Sequence, residues 1–572
     1  MNQLEAKRHS LAHLLAAAVL ELYPDAQRAI GPAIDNGFYY DIKFATPISN
    51  DDLPKIEAKM REIFSTWNKF EGKEVDKETA LNTFKGNPFK QELIDEIADK
   101  GEKLTLYTSG SYVDLCRGGH AESMSQIKPD SFKLSHVAGA YWRGDEKNMM
   151  LTRIYGLAFD TREELMQYEI MIEEARRRDH KILGPQLELF MFHHTSPGMP
   201  YWLPKGVILY NELVRFWREE HQQKGYQEIV SPVLNKKELY ITSGHYDHYW
   251  PDMFVADMGE NEVYGVKAMN CPNAMVVFGW KGRSYRDLPL RLSDTDPLHR
   301  YERSGTLNGL LRVREFRQDD AHIFVTEEQI GDEYKEVFKI VERFYSIFGM
   351  QYSFRLGTRP EKFMGDVETW DKAEQTLREI LAESGKGYTV LEGDGTFYGP
   401  KVDILMKDAI GREWQMGTVQ LDFQQPRRFN LGYTAVDGSK KTPVAIHRVI
   451  YGSLERFIGI IIEHFAGAFP VWLSPVQVSI LPITDKQNNY VQEVADQLRS
   501  AGIRLEISSD NETIGKKIRS AEIMKIPYFL IIGQKEQDAH TVAVRQRGKG
   551  DLGPMNISEF IKKIKTESET RS

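Results

Sequence analysis

The sequence predicts a multidomain α+β protein whose C-terminal part is an α/β module. At about 150 residues per domain, its 572 residues predict three or four domains. The hydrophobic pattern changes near residue 161, where a long helical segment begins, and again after Pro470. These changes predict a first domain over 1–160, a linker helix over 161–181, a central domain over 182–472 and a last domain over 473–572.

The linker helix is predicted from a capping box, Thr161-Arg-Glu-Glu164, which typically begins a helix. Leu165 and Tyr168 start an apolar stripe, and the helix is predicted to end near Gly184-Pro185. Its basic run, Arg176-Arg177-Arg178, could face RNA, or it could complement the partial negative charge at the helix C-terminus. The residues alone leave both interpretations open.

The central and last domains differ in periodicity. The central domain opens with the helical segment GVILYNELVRFWREEHQQKGY, continues with the strand-like run 227–234 and ends in a helix that follows the strand-like PVAIH. The last domain alternates strand-like segments with helices predicted over 485–501, 512–525 and 557–567. The strand-like segments are VQVSILPI, IRLEIS, YFLIIG and VAVRQR. Such alternation is typical of an α/β module.

Composition is that of a soluble globular protein, because 41% of the residues are hydrophobic and 27% are charged. The sequence contains no apolar run long enough for a membrane span and no signal-peptide pattern, which predicts a cytoplasmic protein without a membrane partner. A net charge of −9 argues against a surface that grips nucleic acid throughout. Two cysteines are too few for a disulfide framework, so metal binding or catalysis is open to them.

The first cysteine belongs to a tidy histidine pattern. His9 and His13, followed by Cys116 and His120, give two i,i+4 spacings that resemble a zinc site. Composition alone produces about 0.4 such histidine pairs, so the spacing is a weak signal. On the first helix an apolar stripe runs opposite the two histidines, which predicts that both are exposed. The stripe comprises Leu11, Leu14, Leu15, Val19 and Leu22.

Motifs in the central domain resemble those of a known family. His299-Arg-Tyr-Glu302, Leu311-Arg-Val-Arg314 and Phe316-Arg-Gln-Asp-Asp-Ala-His322 resemble motif 2 of class II aminoacyl-tRNA synthetases, and Gly452-Ser-Leu-Glu-Arg-Phe457 resembles motif 3. MNCP at 269–272, FYGPK at 397–401 and GTVQLDF at 417–423 extend the match. The chain is therefore similar to threonyl-tRNA synthetases over essentially its whole length.

The resemblance implies a fold for each domain. The central domain would be a class II antiparallel sheet with flanking helices, preceded by an α+β editing domain and followed by an α/β anticodon-binding domain. It also implies a homodimer built by motif 1 around Pro232, with tRNA(Thr), ATP and threonine as partners. The sequence begins eight residues before His9, so we expect it to lack the ubiquitin-like N-terminal domain of many relatives.

Arginines suit the implied nucleotide site, because amino acid activation brings a carboxylate against the phosphates of ATP. Arg300 would pair with the α-phosphate, and Phe316 and Arg456 would enclose the adenine ring. Lys401 would add charge near the carboxylate, Mg²⁺ would bind the phosphates, and His245 would help the tRNA ribose hydroxyl to attack. The implied ATP ligands are Arg300, Glu302, Arg312, Phe316, Gln415 and Arg456. The implied catalytic residues are Arg300, Glu302, Arg312, Lys401, Arg456 and His245.

Cys271, His322 and His447, which are 51 and 125 residues apart, match the residues that hold one zinc ion per subunit in the family. Three protein ligands leave one position for substrate. Zinc could bind the amino and hydroxyl groups of threonine, whereas an apolar pocket separates threonine from valine only about a hundredfold. The implied threonine pocket comprises Met269, Gln318, Asp320, Tyr398 and Gln420, with Gln415 also in its lining.

Serine keeps the hydroxyl group and lacks only a methyl group, a difference worth about 1–3 kcal/mol, so a second selection step is implied. The family hydrolyses mischarged seryl-tRNA(Thr) in its editing domain. The matching positions are His9, His13, Lys90, Asp114, Cys116 and His120. The resemblance implies that these residues position water without a metal, and occupation by zinc is the alternative.

In the last domain, the residues that match anticodon-reading positions are Asn511, Arg519, Glu536 and Arg545. The sequence departs from the family pattern at Asn273-Ala274, Glu315 and Met416, where relatives commonly have Gly-His, Gly and Cys. These departures concern the local shape of the substrate pocket. Two other functions compete: an RNA-binding regulatory paralogue without activation activity, and a related synthetase for proline or serine.

Overall fold

In the computed structural model, residues 2–260, 262–508 and 512–571 are described. The chain separates into two compact units, Met1–Glu173 and Glu174–Ser572. Among the described residues, no helix is long and apolar enough to cross a membrane.

The N-terminal unit is built from helices on two antiparallel sheets, as predicted for an α+β domain. Its helices are α1 (Gln3–Leu22), α2 (Leu53–Phe64), α3 (Lys77–Thr83), α4 (Pro88–Asp99) and α5 (Arg162–Arg178), within which the division between the units falls. Its strands are β1 (Gln27–Arg28), β2 (Ala33–Ile34), β3 (Gly37–Lys43), β4 (Glu71–Val75), β5 (Leu104–Ser109), β6 (Tyr112–Leu115), β7 (Phe132–Tyr141) and β8 (Met150–Ala158). One sheet has the order β1-β3-β8-β7, with β2 on β3, and the other has the order β4-β5-β6.

The linker is not one continuous helix as predicted. Helix α5 ends at Arg178, and a second helix, α6 (His180–Gln186), begins one residue later. The break occurs because Asp179 leaves helical geometry and its carboxylate accepts a hydrogen bond from the Lys181 N–H, which makes Asp179 an N-cap.

The central domain contains an eight-stranded sheet. Its helices are α7 (Pro204–Gln223), α8 (Lys237–Ser243), α9 (His245–Tyr249), α10 (Cys271–Gly279), α11 (Ile330–Ser346), α12 (Val367–Glu383), α13 (Gln425–Arg428) and α14 (Leu454–His464). Its strands are β9 (Phe190–Met191), β10 (Tyr201–Trp202), β11 (Gln227–Glu228), β12 (Leu234–Lys236), β13 (Val255–Asp257), β14 (Val263–Val266), β15 (Arg283–Ser284), β16 (Leu290–Asp294), β17 (Pro297–His299), β18 (Glu315–Arg317), β19 (Asp320–Val325), β20 (Gln351–Gly357), β21 (Tyr388–Leu391), β22 (Lys401–Lys407), β23 (Glu413–Asp422), β24 (Tyr433–Thr434), β25 (Lys440–Lys441) and β26 (Val444–Val449).

The large sheet has the order β11-β16-β19-β26-β23-β22-β20-β21. All its central pairs are antiparallel, and only the outer pairs β11·β16 and β20·β21 are parallel. Helices α7, α11 and α14 bury large side chains against the sheet, among them Trp217, Phe344 and Phe457. This arrangement confirms the predicted antiparallel sheet with flanking helices.

The predicted strand over 227–234 is interrupted. Strand β11 pairs only at Gln227 and Glu228, and β12 begins at Leu234. Pro232 lies between them and has no N–H to donate to a neighbouring strand, which favours a break there.

The C-terminal module has the predicted α/β character. Its helices are α15 (Asn488–Ser500), α16 (Ile514–Ile523), α17 (Gln534–Ala539) and α18 (Ile557–Thr570), and its strands are β27 (Val478–Pro482), β28 (Leu505–Ile507), β29 (Tyr528–Ile532), β30 (Thr541–Gln546) and β31 (Gly550–Asn556). The sheet order is β28-β27-β29-β30-β31. Helix α17 and strand β31 were not predicted, because both are short or glycine-containing and carry little hydrophobic periodicity.

Candidate functional site

Three distant residues of the central domain meet at one buried point. Cys271 begins α10, His322 lies on β19 and His447 lies on β26. The two histidines are direct partners in the antiparallel register of β19 and β26. One potential ligand atom from each of the three residues lies within 4.8 Å of the others. The sequence separation of 125 residues between the histidines is thus removed by strand pairing.

The charges around this cluster favour a cation. Burial, with the nearby carboxylates of Asp320 and Asp422, raises the pKa of the Cys271 thiol well above its usual value. Burial also lowers the pKa of His322, with contributions from His447 and Arg448, so this imidazole is neutral. His447 Nε2 lies 2.9 Å from the Asp422 carboxylate, which orients the ring. One sulfur and two imidazoles are a donor set that fits Zn²⁺ with one position open.

A cavity in front of the cluster is lined by the predicted threonine-pocket residues. They are Met269, Gln318, Asp320, Tyr398 and Gln420. The Tyr398 hydroxyl donates a hydrogen bond to the Gln420 side-chain oxygen. Asn270, which was not predicted, donates to Asp320 Oδ2 at 3.0 Å and fixes the orientation of that carboxylate.

His245 also lines this cavity. Its Nδ1 lies 2.8 Å from Ser243 Oγ, and its Nε2 lies 3.6 Å from Cys271 Sγ. Burial, with the nearby positive charge of His447 and His248, lowers the pKa of His245 to about 3. The ring is therefore a neutral group near the cluster and a weak base.

A second cavity adjoins the first, since Arg300 and Gln318 line both. Its wall includes the motif 2 and motif 3 residues Glu302, Arg312, Phe316, Gln415 and Arg456. Burial, together with the charges of Arg312 and Arg300, lowers the pKa of Arg456. Three guanidinium groups that repel one another around one cavity form a site for a polyanion.

Contacts within the second cavity orient the arginines. Glu302 accepts from Arg312 Nε at 2.9 Å. Arg456 Nε donates to the Leu311 carbonyl at 2.9 Å. The Arg300 guanidinium lies 5.0 Å from the centre of the Phe316 ring, so Phe316 contacts Arg300 here. The predicted enclosure of adenine by Phe316 and Arg456 stays a prediction, and both residues do line the cavity.

Two predicted residues have side-chain partners within the protein, and their roles toward substrate stay predictions. Gln415 lines the second cavity but not the first, and its side-chain oxygen accepts from Arg355 at 2.8 Å. Lys401 lines neither cavity, because its Nζ pairs with Asp394 at 2.9 Å and Asp403 at 3.2 Å. The Asp403 contact is on the same strand, two residues away.

In the N-terminal unit, the four residues with i,i+4 spacings also meet. Potential ligand atoms of His9, His13, Cys116 and His120 lie within 4.8 Å of one another. His9 Nε2 is 3.0 Å from Cys116 Sγ, and the His9 and His120 rings stack at 4.6 Å. Burial alone would raise the pKa of the Cys116 thiol, but hydrogen bonds with His120, His13 and His9 lower it to about 3. The three histidines thus favour the thiolate form of Cys116.

Asp114 is the buried anchor of this cluster. Its carboxylate accepts from the Tyr40 and Tyr112 hydroxyls and from the Leu115 N–H. Lys90 Nζ lies 2.7 Å away, and His13 Nδ1 lies 3.2 Å away. Burial would raise the pKa of Asp114, but Lys90 and His13 hold it well below its usual value. Its lone pairs are engaged, so Asp114 orients His13 and is not free to take a proton from water.

The exposure predicted for the two histidines was wrong. His13 is 3% exposed, and His9 is half-buried. Helix α1 is buried on both sides, because Ala12 and Ala16 on the histidine side allow close packing. The signal for the loop that brings His120 back was the pair Gly118-Gly119, since both have positive φ and a Cβ on Gly118 would lie 2.4 Å from the Tyr107 hydroxyl.

Three of the predicted anticodon residues lie on separate elements of the C-terminal module. Arg519 is exposed on α16, and Arg545 is half-buried on β30. The Glu536 carboxylate accepts from the Gly533 N–H at 2.9 Å and so caps α17. Asn511 lies outside the described residues.

Comparisons with known families match all three regions. Residues 104–155 match the threonyl and alanyl tRNA synthetase second additional domain. Residues 253–465 match the tRNA synthetase class II core domain of the G, H, P, S and T enzymes. Residues 477–567 match an anticodon binding domain.

Individual relatives cover nearly the whole chain. The threonine–tRNA ligase of Acetivibrio thermocellus is 50% identical over 562 residues, which are 98% of this chain and 88% of that protein. The threonine–tRNA ligase of Clostridium botulinum strain Langeland is 50% identical over 569 residues, 99% of this chain and 89% of that protein. The solved RNA binding domain of threonyl-tRNA synthetase from Cryptosporidium parvum is 41% identical with a TM-score of 0.66, and it covers 68% of this chain and 98% of its own.

Proposed function

The chain belongs to the threonine–tRNA ligase family, and on this premise we propose how its residues divide the selection of threonine between two sites. It is a ligase with a class II core, an anticodon-binding domain and an editing-type domain, and its catalysis depends on ATP and Mg²⁺. The observation that carries the proposal is the meeting of Cys271, His322 and His447 in a cavity that adjoins three arginines.

The first site would hold one zinc ion on Cys271, His322 and His447. When bound, the ion supplies a Lewis acid for the amino and hydroxyl groups of threonine. Asp320, held by Asn270, would accept a hydrogen bond from the amino group, and the Tyr398 to Gln420 hydrogen bond would shape the pocket wall. Valine would be rejected because it has no hydroxyl group to satisfy these polar partners.

The adjoining cavity would hold ATP. Arg300 lines both cavities, so it can reach the α-phosphate while the threonine carboxylate attacks it and pyrophosphate leaves. Arg312 and Arg456 would bind the outer phosphates, with Glu302 holding Arg312 in place. Gln415 would contact ATP alone, since it does not line the first cavity. The neutral imidazole of His245 would serve the later transfer to tRNA by hydrogen bonding to the ribose.

The second site would hydrolyse seryl-tRNA(Thr) without metal. The neighbouring carboxylate of Asp114 and thiolate of Cys116 raise the pKa of His13 despite burial. His13 and the Cys116 thiolate therefore already balance each other's charge. His9 or His120 would accept a proton from the attacking water. Lys90 and Asp114 would support the site from beneath, because they are paired with each other.

We also propose a cytoplasmic homodimer that reads tRNA(Thr) through Arg519 and Arg545. Val230 and Leu234, on either side of Pro232, are 84% and 54% exposed, and such apolar side chains fit a subunit interface. Light scattering should then give twice the chain mass of 65.9 kDa. A monomer mass would contradict the dimer.

Threonine-dependent exchange of pyrophosphate into ATP tests the function as a whole. Exchange should be strong with threonine, weaker with serine and close to background with valine. No exchange with threonine would favour a regulatory paralogue, and equal exchange with valine would contradict selection by the hydroxyl group. Intact Arg300, Glu302 and Arg456 argue against the paralogue.

A further inference from the structure

His180, at the start of α6, lies outside both cavities but has both ring nitrogens engaged. It is 1% exposed, and its Nδ1 lies 2.6 Å from the Glu463 carboxylate. Its Nε2 accepts a hydrogen bond from the Leu310 N–H at 3.0 Å. Because Nε2 is the acceptor, the proton must be on Nδ1, where it is donated to Glu463.

The loop that carries Leu310 is seated tightly on this ring. Gly309 has a φ of +51°, and a Cβ there would lie 2.3 Å from His180 Nε2. On the neighbouring helix, a Cβ on Gly459 would lie 3.2 Å from the Leu310 side chain. Lys181 adds a hydrogen bond to the Asn308 side chain at 3.2 Å. The loop therefore has little freedom to move relative to α6 and α14.

This loop leads directly into the second cavity. Leu311 follows Leu310, and its carbonyl accepts from Arg456 Nε at 2.9 Å. Arg312 comes next and lines the cavity. His180 thus joins the loop of Arg312 to Glu463, which lies two turns beyond Arg456 on α14.

A second carbonyl also orients Arg456, and a chain of contacts connects its neighbourhood to the Glu463 carboxylate. Arg456 Nη1 lies 3.4 Å from the Gln415 carbonyl on β23. Arg412, just before that strand, pairs with Glu463 and with Asp408. Trp414 Nε1 donates to Asp408 at 2.9 Å, next to Gln415. Glu463 thus helps to hold a neighbour of each carbonyl that orients Arg456. Leu310, held through His180, is next to Leu311. Trp414, held through Asp408 and Arg412, is next to Gln415.

We propose that His180 is a positioning residue for ATP. By joining Leu310 to Glu463, it sets the separation between the loop of Arg312 and the helix of Arg456. The proposal rests on the proposed function, in which these two arginines bind the outer phosphates. It goes beyond that function by assigning the spacing of the arginines to a buried residue that does not contact the nucleotide.

The test compares three substitutions of His180 in the full-length protein by pyrophosphate exchange. His180→Gln keeps an acceptor long enough to reach the Leu310 N–H, His180→Asn has an amide too short to reach it, and His180→Ala has no side-chain acceptor. We expect the KM for ATP to rise about tenfold in the Ala and Asn variants and to stay within about threefold in the Gln variant. The KM for threonine should not change, because neither His180 nor Leu310 lines the first cavity, next to Cys271. An equal KM for ATP in all three variants and the unmodified protein would overturn the proposal.

His464→Gln is the matched control, since His464 follows Glu463 and its Nε2 lies 3.1 Å from the Phe348 carbonyl. Its KM for ATP should match that of the unmodified protein. Added to Arg456→Ala, His180→Ala should cause no further rise in the KM for ATP, and additive effects would overturn the proposal. If Arg456→Ala alone left the KM unchanged, the assignment of Arg456 to ATP would fail, and the role of His180 with it. If Arg456→Ala raised the KM and His180→Ala did not, only the role of His180 would fail.

Discussion

Cys116 and Cys271 each lie beside histidines, but their surroundings give the two thiols opposite acidities. At Cys116, hydrogen bonds with three histidines overcome burial and lower the thiol pKa to about 3. At Cys271, burial and the carboxylates of Asp320 and Asp422 raise the thiol pKa. Histidines stabilise the thiolate in the first cluster, whereas burial and carboxylates disfavour it in the second unless a cation is bound there.

The comparison shows that ligand-like composition does not identify a metal site. The same residue types, cysteine and histidine, meet within 4.8 Å in both clusters. The two clusters differ in the charged groups around them. In the first, Asp114 lies behind His13, and in the second, the carboxylates of Asp320 and Asp422 lie near the Cys271 sulfur. We expect these carboxylates to distinguish a cluster that balances its own charge from a candidate zinc site.

The largest effect is expected from removing the carboxylate behind the first cluster. Asp114→Asn leaves Lys90 and Arg28 buried without their partner, which should destabilise the N-terminal unit by about 3–5 kcal/mol. Hydrogen exchange of the α1 amides would measure this loss. Because the pKa of Asp114 is depressed in the folded state, the stability it gives is present above about pH 4 and is lost as the pH falls.

Asp160→Asn is the control for that substitution. Asp160 also pairs with a lysine, Lys7, but the carboxylate is 47% exposed, so its loss should cost less than about 1 kcal/mol. Equal protection of α1 in the two variants would mean that Asp114 does not anchor the cluster.

A smaller effect is expected in hydrolysis. His13→Ala should slow the clearance of seryl-tRNA(Thr) about 100-fold, because the imidazole that pairs with the Cys116 thiolate is lost. Threonine-dependent exchange should be unchanged in the same variant. Clearance as fast as in the unmodified protein would show that the first cluster is not the editing site.

The smallest expected effect is the change with pH in the rate at which Cys116 is alkylated. Since its pKa is about 3, Cys116 should be alkylated by iodoacetamide at a rate that varies less than about twofold between pH 5 and 8. Cys271, which is buried and would be bound to zinc in the purified protein, should stay unlabelled. Mass spectrometry of the labelled peptides gives both rates, and a tenfold fall per pH unit at Cys116 would contradict the thiolate.

Motif resemblance in the sequence pointed to the residues of both clusters but not to their geometry. His322 and His447 are neighbours because β19 and β26 pair in one register, which no spacing rule predicts. Resemblance to known motifs connected these two histidines, whereas their spacing in the sequence did not. The domain order and the antiparallel sheet followed in the same way.

The errors have a common origin in tertiary packing. His13 was expected to be exposed because one face of α1 is apolar, yet alanines on the other face allow that side to be buried as well. Asp179 ends one helix and caps the next, although the periodicity around it continues.

Metal analysis of two cysteine variants tests the central contrast most directly. The purified protein should contain one zinc per chain, Cys116→Ser should keep it, and Cys271→Ser should lose it. Zinc that is lost in Cys116→Ser and kept in Cys271→Ser would contradict the account, because the cluster around Cys116 would then be the metal site.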